Sequence, residues 1–282
     1  MSKNQSIEES LYAPSLGIKT IVDLIRKLLQ LVSNSHHIKY SYDNQRMNMM
    51  LFEIVSLVSY QIEQIEGVLC IAETNLYLYP SAFVISRTIL EISILIEWML
   101  NPEEEGERII YYIRYLKTQL HKINYYEEWI LDSDIPELDK DEIIANKQNI
   151  ERDIDKMISA AKDYQVPLAS LSNIKDMPSL SVMIKENYQD KKQSEIKTNY
   201  YVLSKFAHGM RQSIYRYHDP NFENHDPMSD WNCPLYICYS SIIASSQILI
   251  HRFSNGLDSF NSEIAPTLSK INNAMSEVFI ET

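Results

Sequence analysis

The chain has 282 residues, of which 45% are hydrophobic and 23% charged, the balance of a folded protein with ample material for a core. Only five residues are glycine, which excludes sandwiches, barrels, dinucleotide folds and phosphate loops, all of which need tight turns or close backbone approach. A net charge of −12 leaves no footprint for a protein that grips nucleic acid over its whole surface.

Apolar residues recur at spacings of three and four throughout, and strand-like alternation is scarce, so the prediction is all-α: a multi-helix bundle with long antiparallel helices and no significant sheet. Residues 1–16 read as a mobile tail and 17–282 as a single helical domain, with a motif-bearing core at about 46–255. The pattern predicts helices over 17–33, 46–76, 81–100, 102–131, 138–164, 179–189, 194–218, 234–255 and 258–280. The run Ala82 to Leu100 is long enough to cross a bilayer, but Arg87, Glu91 and Glu97 would each cost about 2.5–3.5 kcal/mol near its centre, so it reads as a buried helix. Asn101 is placed to cap the next helix, with Pro102 at its first position and Glu103, Glu104 and Glu105 where the helix dipole favours negative charge.

Helix 138–164 is polar, with Lys147, Glu151, Arg152, Asp155 and Lys156 alternating in sign, as in a solvated outer helix or an arm reaching a partner subunit. Prolines and serines mark Gln165 to Ser179 and His218 to Pro234 as loops. Trp231 to Ile250 carries no charge, yet Ser240, Ser241, Ser245, Ser246 and Gln247 suit a central helix with small contact faces better than a membrane span. No membrane partner is expected. Three cysteines, Cys70, Cys233 and Cys238, are too few for a disulfide framework, and the opening MSKNQSIEES lacks the order of a secretion signal, so the expected location is cytoplasmic.

The strings SRTILEISILIEWMLNPEE, MPSLSVMIKENY and YYVLSKFAHG carry Arg87 and Glu91 on one helix and Tyr201, Ser204 and His208 on another. They resemble a prokaryotic helical family catalogued as domain of unknown function 5677. That family is similar in turn to the HEPN superfamily, helical domains of toxin–antitoxin and antiviral systems, many of them metal-independent ribonucleases. The HEPN signature is an Arg, four to six residues, then a His; RQSIYRYH matches it with Arg211 and His218, although Gln212 follows the Arg and Pro220 closely follows the His. The resemblance implies an RNA substrate, Arg211 and His218 as catalytic residues, and a homodimer with its sites near the shared face.

The residues by themselves allow the same chemistry. On helix 194–218 the positions Leu203, Ala207, Met210, Ile214 and Tyr217 form a core stripe, and Ser204, His208, Arg211, Tyr215 and His218 line up beside it. From Lys185 to Arg216 there are seven basic residues against three acidic ones, an island in an acidic chain. Lys191, Lys192, Lys197, Lys205 and Arg216 are the candidates for phosphate contacts, with interleaved tyrosines to stack on unpaired bases. A neutral histidine would take the proton of a 2′-hydroxyl while an arginine steadies the charged phosphoryl oxygens, with no metal or cofactor required.

Each feature also has a structural reading. Arg87 and Glu91, at i and i+4, make a partly buried ion pair that reaches a facing helix, and His208 is a satisfied histidine near the core. On that reading Arg87, Glu91 and Tyr201 form a structural or ligand-binding network, and Ser204 and His208, which the ribonuclease reading places beside Arg211 and His218 as catalytic residues, join Arg87 and Glu91 in a buried cluster that fixes helix register. The chain is then a non-enzymatic interaction or sensor module with a partner protein encoded nearby. A small-ligand pocket bounded by Arg87, Glu91 and His208 is a third reading. Zinc is disfavoured, since His218, His225, Cys233 and Cys238 match no common ligand spacing.

Overall fold

A computed structural model describes residues 14–35, 47–131, 137–167, 171, 173–208 and 227–279. Among these, every regular element is a helix: α1 (Leu16–Ser35), α2 (Met47–Thr74), α3 (Tyr79–Leu100), α4 (Glu105–Leu131), α5 (Glu137–Asp163), α6 (Leu180–Asn187), α7 (Asp190–Ala207), α8 (Asn232–Phe253) and α9 (Leu257–Phe279). Short 3₁₀ turns stand at Leu76–Leu78 and Pro227–Trp231. The protein is all-α, as its apolar spacing predicts.

The chain gathers into two compact units. Unit 1 holds α1, α2 from Glu53, α3 as far as Glu97, α6 from Ile184, and α7 to α9. Its central element is α8, whose buried residues include Leu235, Ile237, Cys238, Ile242, Leu249 and Ile250 together with Ser241, Ser245 and Ser246. The serines let neighbours approach: Ser245 Oγ meets Ser93 Oγ of α3 at 3.3 Å, and Ser93 Oγ lies 3.2 Å from the Ser241 carbonyl. Helix α1 is amphipathic at helical spacing, burying Ile18, Ile21, Val22, Ile25, Leu28, Leu29 and Val32. It packs on α8 and along α9, and a Cβ at Gly17 would collide with Val278, so glycine sets how closely these two helices meet.

Polar ties fix the remaining pairs in unit 1. Arg26 of α1 forks onto both oxygens of Glu73 and reaches Glu66 at 3.2 Å, all on α2. Buried Gln61 of α2 donates to the Ile89 carbonyl of α3 at 3.1 Å. Trp231, fully buried, donates its indole N–H to the Leu76 carbonyl at 2.8 Å, docking the second 3₁₀ turn on the first.

Unit 2 holds the start of α2, the end of α3 from Trp98, α4, α5 and the start of α6 as far as Met183. The polar helix α5 is not solvated throughout: Ile154, Met157, Ala160 and Ala161 are buried, and Lys147 pairs with Glu127 of α4 at 2.6 Å. Helix α4 begins at Glu105 rather than at Pro102. The reason is Arg108, buried to 5% exposure, which donates to the carbonyls of Pro102 and Glu103 at 2.8 and 2.6 Å and holds them in a bend before the helix. Lys117 and Arg114 of α4 donate to the Ile174 and Asp176 carbonyls, tying down the segment that leads to α6.

Two helical stretches among the described residues, Asn48–Thr74 and Met228–Phe253, are long and apolar enough to cross a membrane by length and composition, and 61% of the apolar window of the second is buried within the protein. Helix α7 closes at Ala207, with His208 as its C-cap, inside the predicted span 194–218; the residue next in sequence is Gly209, the type favoured just past a helix end. Arg211, Tyr215, Arg216, His218 and His225 lie outside the described residues, as does the tail before residue 14.

Candidate functional site

The chemistry of unit 1 is concentrated where α7 runs antiparallel to α3. Phe206 near the end of α7 packs on Phe83 with ring centroids 4.3 Å apart, and Tyr188, before the start of α7, reaches Glu97 near the end of α3. Two polar clusters lie along this seam.

The first is built on Arg87. Its Nε donates to Glu91 Oε1 at 2.8 Å, Nη1 lies 3.0 Å from His208 Nε2, and Nη2 donates to the Tyr200 hydroxyl at 3.1 Å. The guanidinium also sits over the Tyr200 ring, 5.3 Å from its centroid. Arginine has no lone pair to offer, so in this contact His208 Nε2 can only be the acceptor. Burial works against the charge on Arg87, but its bonds to Glu91 and Tyr200 outweigh that, and the guanidinium is held protonated above its ordinary range.

The structure thus brings together Arg87, Glu91 and His208, residues far apart in sequence. It corrects two other assignments. The tyrosine in the network is Tyr200; Tyr201, one position round the helix, faces solvent at 57% exposure with Lys205 Nζ 4.5 Å above its ring. Ser204 takes part through its backbone, whose carbonyl accepts from the His208 amide at 3.0 Å, while its buried hydroxyl has no hydrogen-bond partner among the described residues. Lys191, Lys192 and Lys197 are exposed along α7, and Lys205 is half-buried. Burial pushes the Cys233 thiol up to about 12 and the Cys238 thiol higher still. Among the described residues no group of three His, Cys, Asp or Glu stands close enough to hold a metal ion.

The second cluster was not anticipated from the sequence. A cavity of about 660 Å³ opens between α3, α7, α8 and α9, with Glu97 at its wall. It is lined by neither Arg87, Glu91 nor His208, so the void lies farther along the seam than the pocket first considered. Glu97 Oε1 accepts from the Tyr188 hydroxyl at 2.6 Å and lies 3.2 Å from Ser93 Oγ. Burial drives the Glu97 carboxyl above the usual range, against the opposing pull of Tyr188, Lys192 and Ser93, and burial with the neighbouring carboxyl likewise raises Tyr188. The available signal was a glutamate in an apolar helical run; its partner, 91 positions away, carried none.

This acid links stability to pH. The folded chain keeps the Glu97 proton to a higher pH than the unfolded chain does. Its contribution is therefore complete below the ordinary glutamate value of about 4.3 and is lost as pH rises through the raised value. Glu97→Gln removes that loss while keeping an oxygen for Tyr188. The melting temperature of the variant minus that of the parent should grow between about pH 4 and pH 8, with each unit of raised pKa worth about 1.4 kcal/mol. A flat difference across that range would show a carboxyl that ionises as it does in water.

Neither a curated protein nor a solved structure matches the chain. One family model does match, over residues 53–226, a stretch that includes Arg87, Glu91, Glu97, Tyr188, Tyr200 and His208. Since that stretch exceeds half its length, the chain belongs to the family of unknown function DUF5677.

Proposed function

We propose that this protein is a HEPN-like helical effector of a bacterial antiviral-defence or toxin–antitoxin system that cleaves RNA without a metal. The observation that carries the reading is the 3.0 Å contact of Arg87 Nη1 with His208 Nε2, which sets an anion-binding guanidinium against an imidazole nitrogen. With RNA bound, the guanidinium turns to the phosphoryl oxygens and frees the Nε2 lone pair. The imidazole then takes the 2′-hydroxyl proton as the 2′-oxygen attacks phosphorus. The bond to the 5′-oxygen breaks, and the Tyr200 hydroxyl protonates the leaving oxygen, giving a 2′,3′-cyclic phosphate and a 5′-hydroxyl end. Exposed Lys191, Lys192 and Lys197 are available for flanking phosphates.

A second reading, the interaction or sensor module, is favoured by a specific fact: all three guanidinium nitrogens of Arg87 already have protein partners, as in a network that fixes how two helices pack. One experiment separates them. The purified chain is incubated with tRNA and total cellular RNA in EDTA, alongside His208→Ala, Arg211→Ala and His218→Ala. The proposal expects cleavage in EDTA and a fall of about 10²–10⁴-fold in His208→Ala. If only Arg211→Ala and His218→Ala abolish cleavage, the reacting pair is the one in RQSIYRYH. If the parent leaves RNA intact, the interaction module is the better account, and a stable complex with a host protein is its positive test.

A further inference from the structure

We infer that the cavity between α3, α7, α8 and α9 is a mononucleotide site, taking a base with an exocyclic amine on Glu97 and a phosphate on Lys191 and Lys192. It uses a different set of atoms from the Arg87 cluster, shares only Lys191 and Lys192 with the RNA contacts proposed above, and does not depend on the reaction proposed there.

Size and lining come first. A volume of about 660 Å³ lies within the range of small-molecule sites. Leu90, Ile196, Ile243 and Leu268 give it apolar walls suited to a flat ring. Tyr236 and Tyr239 line it as well, edge to face with centroids 5.5 Å apart, and both hydroxyls are anchored, on Glu195 and Asn272 respectively. Rings tied at both ends present a preformed aromatic surface, so little order has to be created on binding.

Glu97 supplies the specific contact. Its Oε1 is occupied by Tyr188 and Ser93, whereas Oε2 has no hydrogen-bond partner among the described residues, and the residue lines the cavity. A carboxyl oxygen at a cavity wall and without a donor can be matched by a ligand N–H. Adenine, guanine and cytosine each offer an exocyclic amine; uracil offers none. Lys191 and Lys192 also line the cavity, adjacent and exposed, with Lys192 Nζ 5.0 Å above the Tyr188 ring and within electrostatic reach of Glu97. Two ammonium groups beside an apolar slot fit a phosphate joined to a base. A free amino acid also couples an amine to an anion, but it leaves the tyrosine wall uncovered.

Calorimetric titration of the full chain with AMP, GMP, CMP, UMP, adenosine and inorganic phosphate tests this. At least one of AMP, GMP and CMP should bind about tenfold or more tighter than UMP, because uracil's only free N–H is the ring imide, which does not stand where an exocyclic amine would reach Glu97. Glu97→Gln places an amide N–H where Oε2 stood, facing the ligand amine, and should bring that ratio to about threefold or less. The double variant Lys191→Ala, Lys192→Ala should weaken the nucleotide about tenfold while leaving adenosine unchanged. Circular dichroism melts show whether each variant is folded. Absence of binding for every nucleotide up to about 5 mM overturns the inference. So does equal binding of UMP, an unchanged ratio in folded Glu97→Gln, or phosphate binding as tightly as AMP.

Discussion

Replacing Trp231 with Ala should cost about 3–5 kcal/mol of stability, the range for removing a buried aromatic side chain and leaving a cavity. At about 2–4 °C per kcal/mol for a chain of this size, the melting temperature falls by about 6–20 °C. The size of the effect follows from two losses at one position. The indole is fully buried, and its N–H is the donor to the Leu76 carbonyl at 2.8 Å, so the substitution empties a space and strands a buried acceptor. Trp231→Phe separates the two, keeping most of the ring and giving up the donor, with an expected cost of about 1–3 kcal/mol. Thermal melts of the two variants beside the parent decide it; a drop of under about 2 °C for Trp231→Ala would show that the two 3₁₀ turns do not depend on this anchor.

Arg87→Ala should lower RNA cleavage by about 10²–10³-fold, the scale of losing one preorganised electrostatic partner of a reacting centre. It also strips partners from Glu91, Tyr200 and His208. That structural cost is about 1 kcal/mol, because the ion pair is partly open to water, with side-chain exposures of 20% and 37%. Arg87→Lys keeps the charge but has one ammonium where three nitrogens fan out to three partners, so it should restore stability more fully than cleavage. Melting curves and EDTA-resistant cleavage, measured on the same preparations, read the two effects apart. Activity within about threefold of the parent in Arg87→Ala, together with a lowered melting temperature, would assign the network to helix packing and favour the interaction module.

The helices were legible because each buries a stripe at its own period, as Ile18, Ile21, Val22 and Ile25 do in α1. Their pairing was not. The Asn101 and Pro102 pattern is a sound start signal that lost to Arg108, whose guanidinium claims the carbonyls a helix would have used. Tyr200 and Tyr201 are identical letters, and choosing between them needs the rotation of α7 against α3, which adjacent positions do not encode. Arg87 and His208, 121 positions apart, share a cluster that no local window contains. Glu97 stood out as a charge among apolar residues, but its burial against Tyr188 is a property of the packed helices rather than of either segment. Arg211 and His218, which the HEPN signature singles out, lie outside the described residues, so their part is decided by the cleavage assay.

The division of the chain sets an order in time. Unit 2 is drawn largely from one stretch, Trp98–Met183, and its main helices α4 and α5 are neighbours in sequence, so they can pair while the ribosome is still at work. Unit 1 is interrupted by that stretch, and α1 finds its long partner only in α9, at the far end of the chain. The apolar stripe of α1 therefore stays uncovered until α8 and α9, which follow the whole of unit 2, have been made. Over that interval it is open to the wrong partners a chaperone would screen it from, and the docking of α9 along α1 is the step that ends the exposure.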